Sequence, residues 1–191
     1  MRRFTWKWLV PGLLLALALP INLFGAEFSA KMVLKQKGRV MPGRIYIKDG
    51  KMRQEFLDEK GHTVTIVRKD KGRVWVIMPF EKKYVEMPLG VNLPGQFLQI
   101  PPEAVSKRRI CSEEMCGYQV DRIEVTLPRG RRGLLRQTYW VALKLGQPIK
   151  TVCAERQYSM EYREIRERQL EDRLFEVPPD CKKVARSTYL P

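Results

Sequence analysis

Histidine is almost missing from this sequence: His62 is the only one in 191 residues. No H-x-x-H or H-E-x-x-H pattern can be built from one histidine, so histidine-based acid/base chemistry and zinc hydrolysis lose their usual parts. His62 follows Gly61 and reads as a solvated turn residue. A G-x-S-x-G elbow is absent, and Gly130-Arg131-Arg132-Gly133 lacks the lysine-serine ending of a phosphate loop. These absences point away from an enzyme. Acidic residues are also scarce, 21 against 36 Lys and Arg, giving a formal net charge of +15. A chain so basic is drawn to anionic surfaces. Its cations are scattered through nearly every hairpin rather than gathered in a stripe with exposed aromatics, which excludes nucleic acid and favours a membrane surface or lipid headgroup.

After residue 24 no long apolar run remains; the one at the start has the order of a secretory signal. Arg2, Arg3 and Lys7 precede an uncharged stretch from Trp8 to Phe24 centred on Leu13 to Leu19, and small residues follow. The run is at the short edge of the roughly 20 residues a spanning helix needs. Pro11 and Pro20 interrupt it. Residues 1–26 are therefore expected to be a cleaved signal peptide and 27–191 a single exported domain. Cleavage after Gly25, Ala26 or Ala30 stays open. The first cysteine is Cys111, so no cysteine near the junction can take an N-terminal lipid, and a soluble monomer is expected.

Cysteines number four. In an oxidising compartment an even number favours pairing. Of three connectivities, Cys111-Cys116 with Cys153-Cys181 is the one chosen, the first bracketing a short loop between two strands; a Cys₄ zinc site is the rival, at wide spacing. No metal and no cofactor are expected.

From Glu27 onward apolar and polar residues alternate with a period near two, the signature of strands. Phe28, Ala30, Met32 and Leu34 share one face, as do Ile45 and Ile47, and Asp49-Gly50 supplies a two-residue hairpin turn. Residues 73–78 are apolar on both faces, which suits a strand covered on both sides. Residues 88–102, rich in proline and glycine, read as a lid loop or crossing, and 169–176 as a short helical turn. About ten strands joined by short turns are expected to make an all-β, mainly antiparallel meander, which closes into a barrel or curls and leaves one concave, apolar face. That face is heavy in methionine, which fits either an ordinary core or a hydrophobic cavity.

The order of motifs resembles the LolA/LolB-like superfamily of outer-membrane lipoprotein-sorting proteins, especially its short members. The series is F-S-A-K-M-V-L at 28–34, G-R-I-Y-I-K at 43–48, K-M-R-Q-E-F at 51–56 and V-W-V-I-M-P at 74–79. It continues with Y-W-V-A at 139–142, L-G-Q-P-I-K at 145–150, S-M-E-Y at 159–162 and L-F-E-V-P at 174–178. The resemblance implies an incomplete, curled β-barrel of about ten strands, with a lid loop or short helix over the apolar concave face, that holds lipid or lipoprotein acyl chains in the periplasm without covalent chemistry. The family begins with a helix where this chain begins with a strand, and Asp49 stands near the family's arginine position, with Arg53 the nearest substitute. On this reading Met32, Leu34, Ile45, Ile47, Met52, Phe56, Val76, Met78 and Trp140 line the cavity. Phe97, Leu98 and Ile100 form its lid, and Arg53 meets an anionic headgroup. The alternative is an envelope protein-interaction or sensing module on the same fold with a filled core.

Overall fold

The computed structural model describes residues 26–58, 61–90, 100–129 and 133–185. The proposed signal peptide, up to residue 25, and the lid residues Phe97 and Leu98 lie outside them. Every described strand belongs to one twelve-stranded sheet. In chain order these are β1 (Phe28–Gln36), β2 (Arg39–Lys48), β3 (Lys51–Asp58), β4 (Gly61–Arg68), β5 (Arg73–Met78) and β6 (Lys83–Pro88). They are followed by β7 (Ser106–Met115), β8 (Tyr118–Pro128), β9 (Leu134–Ala142), β10 (Gln147–Cys153), β11 (Tyr158–Glu167) and the two-residue β12 (Lys182–Lys183). Across the sheet the order is β12-β6-β5-β4-β3-β2-β1-β11-β10-β9-β8-β7. All neighbours are antiparallel except β12, which runs parallel to β6. The sheet curls without closing, because β7 and β12 end it and do not pair. Among the described residues there is no α-helix, only short 3₁₀ turns such as Pro79–Glu81, Ala154–Arg156 and Asp172–Phe175.

The expected all-β, mainly antiparallel, curled incomplete barrel is what forms, with twelve strands rather than about ten. The two-residue β12 is a strand the sequence did not announce, and two others run further than the alternation suggests. β2 begins at Arg39 and runs through Pro42; its pairing with β3 starts only at Gly43, so the proline lies where no β3 neighbour needs its missing N–H. β7 runs to Met115, and the turn to β8 is Cys116-Gly117, both at positive φ (54° and 80°). Asp49-Gly50 has the same signature, φ 47° and 75°, the left-handed pair that matches the twist of a hairpin.

That turn also corrects the cysteine pairing. Cys111 faces Arg122 across β7–β8 while Cys116 sits at the tip, so the two lie five residues apart on one strand, about 16 Å at the rise of a strand. A disulfide needs Cα atoms within about 7 Å. Cys153 ends β10, whereas Cys181 packs beside Trp75 and Phe175, several strands away. All four cysteines are free thiols.

Alternation sorts the side chains into two faces. On one, cross-strand rows run Phe28–Ile47–Met52–Val67–Val74–Met87 and Ala30–Ile45–Gln54–Thr65–Val76–Val85. On the other, Val64, Ile66, Trp75 and Ile77 form a second buried cluster, covered by Leu170, Leu174, Phe175, Val177 and Cys181. The cover is the segment after β11, which crosses the sheet as a strap. This explains why β5 is apolar on both sides.

The strap is fixed by polar bonds as well as by burial. Lys48 Nζ donates to the Leu170 carbonyl (2.7 Å), Arg53 Nη1 to that of Leu174 (3.1 Å) and Arg68 Nη1 to that of Phe175 (3.2 Å). Arg68 also pairs with Glu176, and with Asp70 at 2.5 Å. At the far end Lys182 N donates to Lys82 O and Val184 N to Tyr84 O, so the strap finishes as β12 and covers the edge of β6. Burying Leu170 and Phe175 contributes about 2 kcal/mol each.

Candidate functional site

The strap leaves the first face as the place where a ligand could be held. Phe28, Met32, Leu34, Ile45 and Ile47 form its centre with Met160 and Tyr162, and Met52 and Phe56 pack at the margin. Val67, Val74, Val76, Val85 and Met87 extend it toward β6, with Met52 and Met78 alongside. The structure thus brings together eight of the nine sequence-predicted lining residues: Met32, Leu34, Ile45, Ile47, Met52, Phe56, Val76 and Met78. Trp140, the ninth, joins the apolar cluster from a different row. Its ring lies under Lys150 and Arg122, with the cationic groups 5.0 and 5.3 Å from the centroid, and its Nε1 donates to Glu113 (2.7 Å). Ile100 is partly buried just before the Pro101 turn.

Arg53 is not among them. Its row is Tyr46–Arg53–Ile66, on the strap side. There its guanidinium is held by Glu55 (2.6 Å) and by the Leu174 carbonyl. Strand parity alone forbids it from meeting a headgroup on the other face, since residue 53 lies between Met52 and Gln54. His62 lies in β4 with its ring 6.0 Å from that of Phe80.

Two polar side chains stand within the apolar face, and neither was singled out from the sequence. Tyr162 is 0% exposed and its hydroxyl has no hydrogen-bond partner in the described structure. It sits opposite Met32, its ring 6.3 Å from that of Phe28. Burial, with Tyr158 close by, pushes its phenol well above the ordinary range, so it stays a neutral donor. Gln54 is 1% exposed and its Nε2 lies 3.9 Å from Met32 Sδ. A signal for both was available: Tyr162 has the parity of Met160, and Gln54 that of Met52 and Phe56. Between them Gly43 leaves room for Met32 and Phe56. A Cβ there would stand 2.6 Å from the Glu55 carbonyl oxygen and 3.1 Å from Met32 Cε and Phe56 Cδ1.

Two open concavities lie elsewhere. One of about 800 Å³ is lined by Gln36, Lys37, Arg129, Glu155, Arg156 and Gln157 at the hairpin tips. Another of about 410 Å³ is lined by Lys48 and Gln169 to Asp172 beside the strap. Polar and charged residues dominate both linings, and neither includes a residue of the first face's apolar lining. Among the described residues no group of three or more His, Cys, Asp or Glu could hold a metal ion. No described helix is long and apolar enough to cross a membrane.

The class these features define is an open, curled antiparallel sheet with one strapped face and one methionine-rich apolar face. No family model matches the chain, and no curated protein matches it. Solved structures do. An uncharacterized conserved protein from Thermus thermophilus superposes with a TM-score of 0.59 at 14% identity, covering 85% of this chain and 91% of that one. A chain of the Pseudomonas aeruginosa MucA/MucB complex gives 0.51 at 14% identity, covering 83% of this chain and 58% of its own length. A LolA superfamily protein from Nitrosomonas europaea is also among the structural neighbours, at a TM-score of 0.42 and 12% identity, covering 79% and 90%. At 14% identity the first two likenesses are of fold alone.

Proposed function

We propose that this chain is a periplasmic binder of lipid or lipoprotein acyl chains, exported by its first 26 residues and doing no covalent chemistry. The observation that carries the reading is the broad apolar face with one buried, unpartnered hydroxyl in it. An apolar core needs no Tyr162 hydroxyl, and leaving a buried donor unmet costs about 1–3 kcal/mol. A ligand with an apolar tail and a carbonyl or carboxylate would relieve that cost, Tyr162 donating to its oxygen. In this role Tyr162 replaces the Arg53 expected from the sequence. Met32, Met52, Met78 and Met160 supply the adaptable wall: unbranched and flexible, they can part to admit a chain and close when it leaves. Native mass spectrometry of the protein taken directly from the periplasm, followed by lipid extraction, tests the proposal. Copurifying lipid is expected; a clean protein that also fails to take up a fluorescent fatty acid would sink it.

A second reading, an envelope protein-interaction module with a filled core, draws on the low exposure of the same face. Met32 is 1% and Leu34 2% exposed. The MucA/MucB likeness is compatible with it, since that structure is a complex of two proteins. It predicts a specific protein in crosslinked envelope fractions and no bound lipid.

A further inference from the structure

The two edges of the sheet are treated differently. β12 covers β6, but among the described residues no strand covers β7, and nine of its ten residues are exposed. A bare edge offers its outward N–H and C=O groups to any strand that fits. Charge and a bulge are the usual defences against promiscuous pairing, and β7 has both. Their arrangement is selective. Lys107, Arg108 and Arg109 precede the bulge and Glu113 and Glu114 follow it, so the strand is basic in one half and acidic in the other.

The bulge makes this order self-complementary. Opposite β8, Arg109 faces Ile123 and Cys111 faces Arg122, leaving Ile110 as the extra residue. An extra residue reverses the alternation beyond it. Lys107 and Glu114 face Val125 and Gln119, and therefore share one side of the sheet. Arg108 and Glu113 face Glu124 and Val120, and share the other. In an unbulged strand each of these pairs, separated by an odd number of residues, would be split between the two sides. A two-fold axis perpendicular to the sheet, passing between Ile110 and Cys111, sets Lys107 opposite Glu114 of a second copy and Arg108 opposite its Glu113. Each pair occurs twice, and each joins side chains on the same side. A slip of one residue would set Arg109 against Glu113, which point to opposite sides. Lys107 and Glu114 have no ion-pair or hydrogen-bond partner of their own among the described residues.

We propose that β7 is the surface through which two copies of this chain pair, antiparallel and about that axis, into one continuous sheet. The occupant of the edge is a second copy because the charge sequence complements itself. This replaces the monomer expected from the sequence, and it does not depend on whether the apolar face holds a lipid. The two Cys111 residues would lie beside the axis on one side of the joined sheet.

Sedimentation of the full chain across a concentration series tests it, with far-UV circular dichroism confirming the fold of each variant. The wild type is expected to form dimers. Lys107→Glu alone and Glu114→Lys alone each turn two attractive contacts into repulsive ones and should raise the dimer Kd about tenfold or more. The exchanged double variant, K107E/E114K, restores two opposite-charge contacts and should return the Kd to near the wild-type value. In a Cys116→Ser background a short bis-maleimide should join Cys111 to Cys111. A chain that is monomeric at every concentration overturns the proposal. So does a dimer indifferent to the single reversals, an exchange that fails to restore pairing, or a dimer that Cys111 does not crosslink.

Discussion

Tyr162 is the residue at which stability and binding are expected to pull in opposite directions. Its hydroxyl is buried without a partner, so Tyr162→Phe should leave the free protein as stable or raise it by up to about 1 kcal/mol. The same change should weaken binding of a fluorescent fatty acid about fivefold or more, since it removes the hydroxyl proposed to donate to the headgroup. Thermal melting and a binding titration of the variant check both signs. Gly43 makes the complementary case. Gly43→Ala places a methyl 2.6 Å from the backbone oxygen of Glu55, and a backbone atom in a paired strand cannot give way cheaply. A loss of about 1–3 kcal/mol is expected from denaturant titration.

The strap is the element that turns an amphipathic sheet into one buried on both sides. Phe175 is fully buried under it, so Phe175→Ala should cost about 3–5 kcal/mol, read from the shift of the urea midpoint. Its polar anchor is acid-sensitive. The hydrogen bond from Arg68 is the main cause holding the Asp70 carboxyl down at about 2. At Glu176, burial pushes upward but hydrogen bonds from Lys71 and Arg68 outweigh it, and the carboxyl is held below its usual range. Carboxyls depressed in the fold contribute stability above their unfolded values near 4, and that contribution is lost as pH falls through the folded values. Hydrogen exchange should therefore show strap amides losing protection between about pH 4 and pH 2. In Arg68→Met this acid-dependent step should be smaller, because the two carboxyls would start close to their ordinary values.

At the scale of the whole molecule, charge and shape act together. The net charge is +15 over 191 residues, and only three of those charges (Arg2, Arg3 and Lys7) lie in the proposed signal, so the exported protein should be drawn to vesicles containing phosphatidylglycerol and not to neutral ones. Raising salt to about 0.5 M should release it, because screening shortens the reach of exposed charges below the roughly 10 Å of 0.1 M. Retention at high salt would instead indicate apolar insertion. The unclosed sheet leaves two strand edges, and among the described residues only one of them is covered, by the end of the strap. The other is left to charge, a bulge and, on the proposal above, a second copy.

What the sequence determined by itself follows from local rules. Alternation put Met32 with Leu34, Ile45 with Ile47 and Met52 with Phe56, because strand parity is a property of consecutive residues; that these join with Val76 and Met78 into one face was decided by the register between strands. Asp49-Gly50 announced its turn because left-handed backbone favours those residue types. The apolar double face of residues 73–78 required a cover on each side. Identifying the cover was a tertiary matter: the strap lies nearly a hundred residues away in the chain, and nothing local in 168–184 names its target. Tertiary structure also decided that Arg53 serves the strap, because its partner Leu174 is distant in sequence. It decided that the cysteines stay apart, since pairing depends on distances between strands that spacing along the chain does not set. The bulge at Ile110 belongs with these. Lys107, Arg108, Glu113 and Glu114 are plain in the sequence, but which of them share a side was fixed only by the register of β7 against β8, one residue more on one strand than on the other.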